Sequence, residues 1–178
     1  MRIVSGKHRG RVLKSFSGDD IRPTSDRAKE ALFNILSLKV VNSNFLDMFS
    51  GTGSIGIEAI SRGASNVTFV DSSLESIKIL KSNLSLIKEN ANVNNISADV
   101  FLKKTADKYD VIFFDPPYNY RDANALLKII YECNLLSDGG IIIYEHKSDY
   151  DSFSTEFFEI YDKRKYGIAV FEMLRSKQ

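Results

Sequence analysis

The stretch Phe45-Leu46-Asp47-Met48-Phe49-Ser50-Gly51-Thr52-Gly53-Ser54-Ile55-Gly56 sets an apolar run, a glycine-rich turn and the start of an apolar helix end to end. Gly51, Gly53 and Gly56 satisfy the spacing G-x-G-x-x-G. Residues 45–49 read as a strand and Ile55 to Arg62 as a helix stopped by Gly63, so the glycines fall in a strand-to-helix turn. Glycine allows the tight turn and lets backbone N–H groups come close to a ligand. Asp71 ends the next strand, read over residues 66–71, and stands 20 positions after Gly51. An acid there can accept both hydroxyls of a ribose. The unit reads as the first half of a nucleotide-binding α/β sheet.

Outward from this unit the alternation continues. Leu74 to Lys88 reads as a helix, with Ile77, Leu80, Leu84 and Ile87 in phase. Val93 to Ala98 is a weak strand, and a short helix is expected near residues 100–105. Tyr109 to Asp115 is a buried strand and Ala123 to Cys133 a helix. Gly139-Gly140 reads as a turn into the strand Ile141 to Glu145. Phe157 to Asp162 and Ile168 to Leu174 alternate and close the chain around Lys163 to Gly167. Strands separated by helices pair in parallel, and two strands in succession make an antiparallel edge hairpin. Upstream, Ile3, Val4, Val12 and Leu13 flank Gly6-Lys7-His8-Arg9-Gly10, a small hairpin with a basic tip. Pro23-Thr24-Ser25-Asp26 starts a helix whose Ala28, Ala31, Leu32, Ile35 and Leu36 share one face. The expectation is an α/β fold. Its sheet is doubly wound, mostly parallel and seven-stranded, with an antiparallel C-terminal edge hairpin. Residues 1–40 form a hairpin-and-helix appendage and 41–178 the cofactor-binding domain.

The 178 residues are 43% hydrophobic and 26% charged, which excludes a disordered chain, a collagen and a coiled coil. One cysteine excludes an internal disulfide framework and a multi-cysteine zinc site, and two histidines exclude a three-histidine metal site, so no metal is expected. No secretory leader and no apolar run long enough for a bilayer is visible, so a cytoplasmic protein is expected. Net charge is +1, yet residues 1–14 carry five basic residues and no acid, leaving 19 basic against 23 acidic in the remainder. A basic arm on an acidic body suits a phosphate-bearing partner.

The glycine turn alone does not choose the cofactor. A dinucleotide would set its pyrophosphate on the helix N-terminus. S-adenosyl-L-methionine instead presents an ammonium, for which Asp47 can supply an acceptor, directly or through water. Asp99, after the third strand, can reach an adenine edge, or can cap the short helix that follows. The decision comes from Val111-Ile112-Phe113-Phe114-Asp115-Pro116-Pro117-Tyr118. An apolar strand stops abruptly at an acid, two prolines and an aromatic. The prolines stiffen the backbone and remove two N–H donors, which leaves carbonyls as acceptors. Asp115 and the Pro116 carbonyl can hold an NH2 group while Tyr118 stacks on a flat ring, at about 1–3 kcal/mol for base–aromatic stacking. That combination suits alkylation of an exocyclic amine.

The chain resembles the class I S-adenosylmethionine-dependent methyltransferases, and more narrowly the small-subunit (16S) ribosomal RNA guanine-N2 methyltransferases of the RsmD family. The resemblance rests on Arg2-Ile3-Val4-Ser5-Gly6-Lys7-His8-Arg9-Gly10-Arg11, Arg22-Pro23-Thr24-Ser25-Asp26-Arg27, Ala31-Leu32-Phe33-Asn34-Ile35-Leu36, Leu46 to Gly53, Glu58 to Ala64 and Asp115 to Tyr118. It implies an enzyme that methylates N2 of one guanine, in a partly or fully assembled 30S particle. The catalytic corner would be Asp115, Pro116, Pro117 and Tyr118. The cofactor contacts would be Asp47, Ser50, Gly51, Thr52, Gly53, Asp71, Ser72 and Asp99. Lys7, His8, Arg9, Arg11, Arg22 and Arg27 would face RNA, and a monomer is expected. Methylation of DNA adenine N6 or protein glutamine N5 would share the acceptor corner. A nicotinamide-dependent oxidoreductase would share the glycine turn and the acid at the second strand but leaves Asp115 to Tyr118 and the basic arm unexplained, and a non-catalytic RNA-binding module predicts a degenerate glycine turn where this one is intact.

Overall fold

The computed structural model describes residues 1–16, 26–117, 123–147 and 156–177. Seven strands form one sheet: β1 (Asn44–Met48), β2 (Asn66–Asp71), β3 (Asn92–Asn95), β4 (Tyr109–Phe114), β5 (Leu136–Lys147), β6 (Phe158–Tyr166) and β7 (Ala169–Ser176). Their order is β3-β2-β1-β4-β5-β7-β6. The first five pair in parallel, and β7 runs antiparallel between β5 and β6. Helices α1 (Asp26–Leu36), α2 (Ser54–Ser61), α3 (Leu74–Ile87), α4 (Ala98–Lys104) and α5 (Ala123–Glu132) cover the two faces. No helix among the described residues is long and apolar enough to cross a membrane.

Successive strand residues point to opposite faces, so the buried strands feed two cores. Phe45, Phe69, Val111, Phe113 and Ile143 join α1, α2 and α3 on one side. Leu46, Met48, Ile112, Phe114 and Ile142 join α4 and α5 on the other. Ile3 and Leu13 of the arm and Leu32, Phe33 and Leu36 of α1 belong to the first of these cores. Residues 1–16 and 26–40 thus share their apolar contacts with the sheet.

The arm is a short hairpin bridged at Arg2 and Val12. It lies along α2 and α3. The Lys7 N–H donates to the Ser61 carbonyl at 2.8 Å, and the His8 N–H donates to Ser61 Oγ at 3.0 Å. Gly6, at φ +84°, allows this approach: a Cβ there would stand 1.8 Å from the Ser61 carbonyl oxygen.

Three readings of the sequence are corrected. Gly139-Gly140 does not turn into β5 but lies within it, where the pairing with β4 shifts register between Tyr109 and Val111. Lys163 to Tyr166 continue β6, so the last hairpin turns at Gly167 and Ile168. The third strand stops at Asn95, because Ser97 opens α4. His146, at the end of β5, lies in a buried cluster: its Nε2 is 3.4 Å from Glu172 Oε1, and Lys163 Nζ is 2.7 Å from the same oxygen. Cys133 is exposed, just past α5 and on the face of the sheet opposite the arm.

Candidate active site

Register decides what meets at the carboxyl edge of the sheet. Met48 pairs with Val70 on one side and Phe114 on the other. The residues that follow each strand therefore emerge together: Phe49 and Ser50, Asp71, and Asp115. This edge is where open α/β sheets bind ligands. Phe49 takes φ +57° to swing the chain out of β1 into the glycine turn.

Asp47 lies inside β1, 1% exposed, and its Oδ2 accepts the Gly56 N–H at 2.8 Å. Gly56 permits that contact, since a Cβ there would stand 2.2 Å from the Phe69 ring. Asp71 holds two loops: Oδ2 accepts the Gly51 N–H and Oδ1 the Ser73 N–H, each at 2.8 Å. Each carboxylate oxygen keeps further lone pairs for a ligand. Gly51, at φ +52°, has nothing within 4 Å of where a Cβ would be, so the turn opens onto free space. Beside it, Ser50 Oγ is buried without a hydrogen-bond partner. Thr52 is fixed from behind by Asn83, whose Nδ2 donates to the Thr52 carbonyl at 3.0 Å. Ser72 is exposed, and its carbonyl accepts from Asn95 Nδ2. Ser97 is the N-cap of α4. Asp99 sits in the first turn, its carboxyl held below the ordinary range mainly by the Ser97 hydroxyl.

Asp115 is half-buried at the end of β4, Pro116 is buried and Pro117 exposed. Burial pushes the Asp115 carboxyl up to about 7. Burial likewise pushes Asp47 up to about 8, opposed by the Gly56 N–H and reinforced by the negative charges of Asp71 and Asp115. Three acids thus crowd one edge, an environment that favours a cationic ligand. A carboxyl whose pKa is raised by folding holds a proton that the unfolded chain releases. Its contribution is intact below about pH 4 and is lost as the pH climbs toward 8. Asp47→Asn, which keeps an acceptor for Gly56, is expected to change stability little at pH 4 and to stabilise the fold increasingly toward pH 8, by up to about 1.4 kcal/mol for each pH unit. Denaturant titration at both pH values checks this; an equal effect at both would contradict it.

The basic arm is placed differently from the site. Its tip lies at the far end of α2, about 12 Å from the glycine turn for a helix of that length. Lys7 Nζ and His8 Nε2 both reach Glu89 Oε1, at 2.8 and 2.7 Å, so the His8 ring is turned inward. Arg11 donates to the Leu86 carbonyl at 2.8 Å. Arg9 and Arg27 are exposed and have no ion pair among the described residues. Tyr118 and Arg22 lie outside the described residues.

Two residues that the sequence reading did not single out join arm, α1 and α2. Lys29 and Glu58 are both fully buried. Lys29 Nζ donates to the Arg2 carbonyl at 2.6 Å and Ser54 Oγ at 3.2 Å, and lies 3.7 Å from Glu58 Oε2. Glu58 accepts the Val4 and Ser5 N–H groups at 2.8 and 2.9 Å, and Arg62 Nε at 2.8 Å. Lys29 stands one position from Ala28 and three from Leu32 on the apolar face of α1, a placement that could have flagged it.

A seven-stranded sheet in this order, with an acid before a glycine turn and Asp-Pro-Pro at the end of β4, defines a Rossmann-like class I methyltransferase. The family model described as Conserved hypothetical protein 95 matches residues 1–175, and the chain belongs to that family. YlbH of Bacillus subtilis is 38% identical over 82% of this chain and 82% of its own length. Ribosomal RNA small subunit methyltransferase D of Haemophilus influenzae is 35% identical over 99% of this chain and 94% of its own. Among solved structures, YhhF of Escherichia coli superposes with a TM-score of 0.88 at 28% identity, over 99% of this chain and 98% of that one.

Proposed function

We propose that this protein transfers a methyl group from S-adenosyl-L-methionine to the exocyclic N2 amine of a guanine in small-subunit ribosomal RNA. The observation that carries the reading is the register that seats Asp115-Pro116-Pro117 beside the glycine turn. The relative named above as a ribosomal RNA small subunit methyltransferase supports the substrate. We place the reaction in the cytoplasm, on the partly or fully assembled 30S particle, with the protein acting as a monomer and without a metal.

The residues present fit the cofactor. The open space over Gly51 admits its backbone-facing part, the unpartnered Ser50 Oγ offers a hydrogen bond, and the acids Asp47 and Asp71 suit an ammonium and a ribose. Asp99 would meet the adenine edge. When bound, S-adenosylmethionine supplies a methyl group on a positively charged sulfur. Asp115 and the Pro116 carbonyl hold the guanine amine, with Tyr118 assigned to pack the ring. The base has to leave its stack to reach this corner. The amine nitrogen would receive the methyl group from the bound cofactor, which would leave as S-adenosylhomocysteine, and Asp115 or water would take the proton that the nitrogen loses. Most of the acceleration comes from holding the reacting atoms about 3 Å apart with aligned orbitals.

The test is transfer of a labelled methyl group to 16S ribosomal RNA, free and in 30S particles, followed by nucleoside mass mapping. N2-methylguanosine at one position is expected. N6-methyladenine, methylated protein or no product would overturn the reading. Separately, Asp71→Ala is expected to weaken S-adenosylhomocysteine by about 1.5–3 kcal/mol, the scale of a charge-assisted hydrogen bond. Calorimetry showing unaltered affinity would contradict the ribose contact.

A further inference from the structure

The arm descends α3 one turn at a time. Lys14 Nζ donates to Ser82 Oγ at 2.8 Å, Arg11 to the Leu86 carbonyl, and Lys7 and His8 meet Glu89. Next to the arm, toward β3, runs a groove of about 670 Å3 lined by Lys81, Leu84, Ser85, Lys88, Glu89 and Asn90. Lys78, Lys81 and Lys88 are exposed and have no acidic partner among the described residues. Residues 1–16 and 74–91 together hold eight lysines and arginines against two acids, whereas the rest of the chain holds 16 against 21. One of the two acids, Glu89, is already neutralised by Lys7, whose hydrogen bond holds its carboxyl below the ordinary range. Lys78 to Lys88 covers about 15 Å of helix. The positive charge therefore runs as a stripe down the side of the molecule, from near Asp71 to the opposite edge of the sheet.

We infer that α3, through Lys78, Lys81 and Lys88, forms with the arm a second contact surface for the phosphate backbone of RNA flanking the target guanine. The inference rests on the RNA substrate proposed above. Phosphate contacts set register and add affinity without reading sequence. Lys88 lies about 20 Å along α3 from the helix start beside Asp71, so a nucleoside or a dinucleotide held at Asp115 cannot reach the far end of the stripe, and only an extended RNA gains from all of it.

The test pairs Lys81→Gln/Lys88→Gln with a control, Lys104→Gln/Lys128→Gln, on the opposite face of the sheet. Binding of a 16S ribosomal RNA transcript is measured by filter retention between 50 and 250 mM KCl. Single-turnover methyl transfer at saturating transcript and S-adenosylhomocysteine affinity are measured alongside. The α3 pair is expected to raise Kd about tenfold and to shrink the slope of log K against log salt by about 1.5 for two lost phosphate contacts. The saturating rate and the S-adenosylhomocysteine affinity are expected to stay unchanged. A wild-type Kd and slope in the α3 pair, or an equal loss in the control pair, would overturn the inference while leaving the methyltransferase reading standing. A wild-type protein that neither binds nor methylates the transcript or the 30S particle would overturn both. A purified acidic protein bound through Lys81 and Lys88 with RNA binding unchanged would replace the inference.

Discussion

Asp115→Ala is expected to reduce methyl transfer by about a thousandfold, the scale on which enzymes lose rate when a preorganised polar contact to the reacting group is deleted. The substitution takes away the acceptor proposed to hold the amine and leaves the Asp71–Gly51 and Asp47–Gly56 hydrogen bonds in place. S-adenosylhomocysteine affinity should therefore hold within a few-fold in calorimetry. Stability should not fall, because the carboxyl removed is one whose pKa burial has raised to about 7. The same shift gives the wild-type enzyme a pH signature. Asp115 accepts a proton only when ionised, so kcat/KM is expected to rise with pH on a limb near 7. A variant with full activity would remove Asp115 from the chemistry, and a limb that survives in Asp115→Asn would assign it to another group.

Glu58→Gln carries the largest expected effect on stability. Its carboxylate is the buried counter-charge of Lys29 and accepts two backbone N–H groups of the arm. With the charge gone, the Lys29 ammonium stays buried without compensation and one of the N–H groups loses its acceptor. Removing one partner of a buried pair costs about 3–5 kcal/mol. Burial is also the main force lowering the Lys29 pKa, against the raising effect of Glu58, so Lys29 in the variant is pushed further toward its neutral form. Urea unfolding measures the loss; a change under about 1 kcal/mol would show that the pair is dispensable. The double change Lys29→Met/Glu58→Leu separates charge from packing. An apolar replacement of both partners is often neutral, so it is expected to regain most of the stability lost in Glu58→Gln.

Much of the fold was readable because its periodicities are clean. The apolar phase of Ile77, Leu80, Leu84 and Ile87 marks α3 to within a residue, and the Asp71 spacing places β2 against the glycine turn. The misreadings sit where local chemistry and pairing disagree. Gly139-Gly140 has turn composition, yet the ladder between β4 and β5 absorbs both glycines through a register shift. Lys163 to Lys165 look like a loop by charge, but antiparallel pairing with β7 extends the strand through them. At the site, Asp47, Asp71 and Asp115 were legible because each ends or interrupts an apolar strand. Lys29 could be suspected from its place on the apolar face of α1, but the pair could not be read, since Glu58 comes from a distant segment. The direction of the basic hairpin was hidden for a similar reason: composition shows that the arm is positive, and only its contacts with Ser61 and Glu89 show where the charge lies.

The exposed Cys133 is the sole thiol of the chain. A maleimide fluorophore will therefore attach at one defined point, on the face of the sheet opposite the arm and α3. Energy transfer from that point to a dye on either end of a nucleic acid would report which way the strand runs across the enzyme, with no engineered residue and no disturbance of the surfaces being mapped.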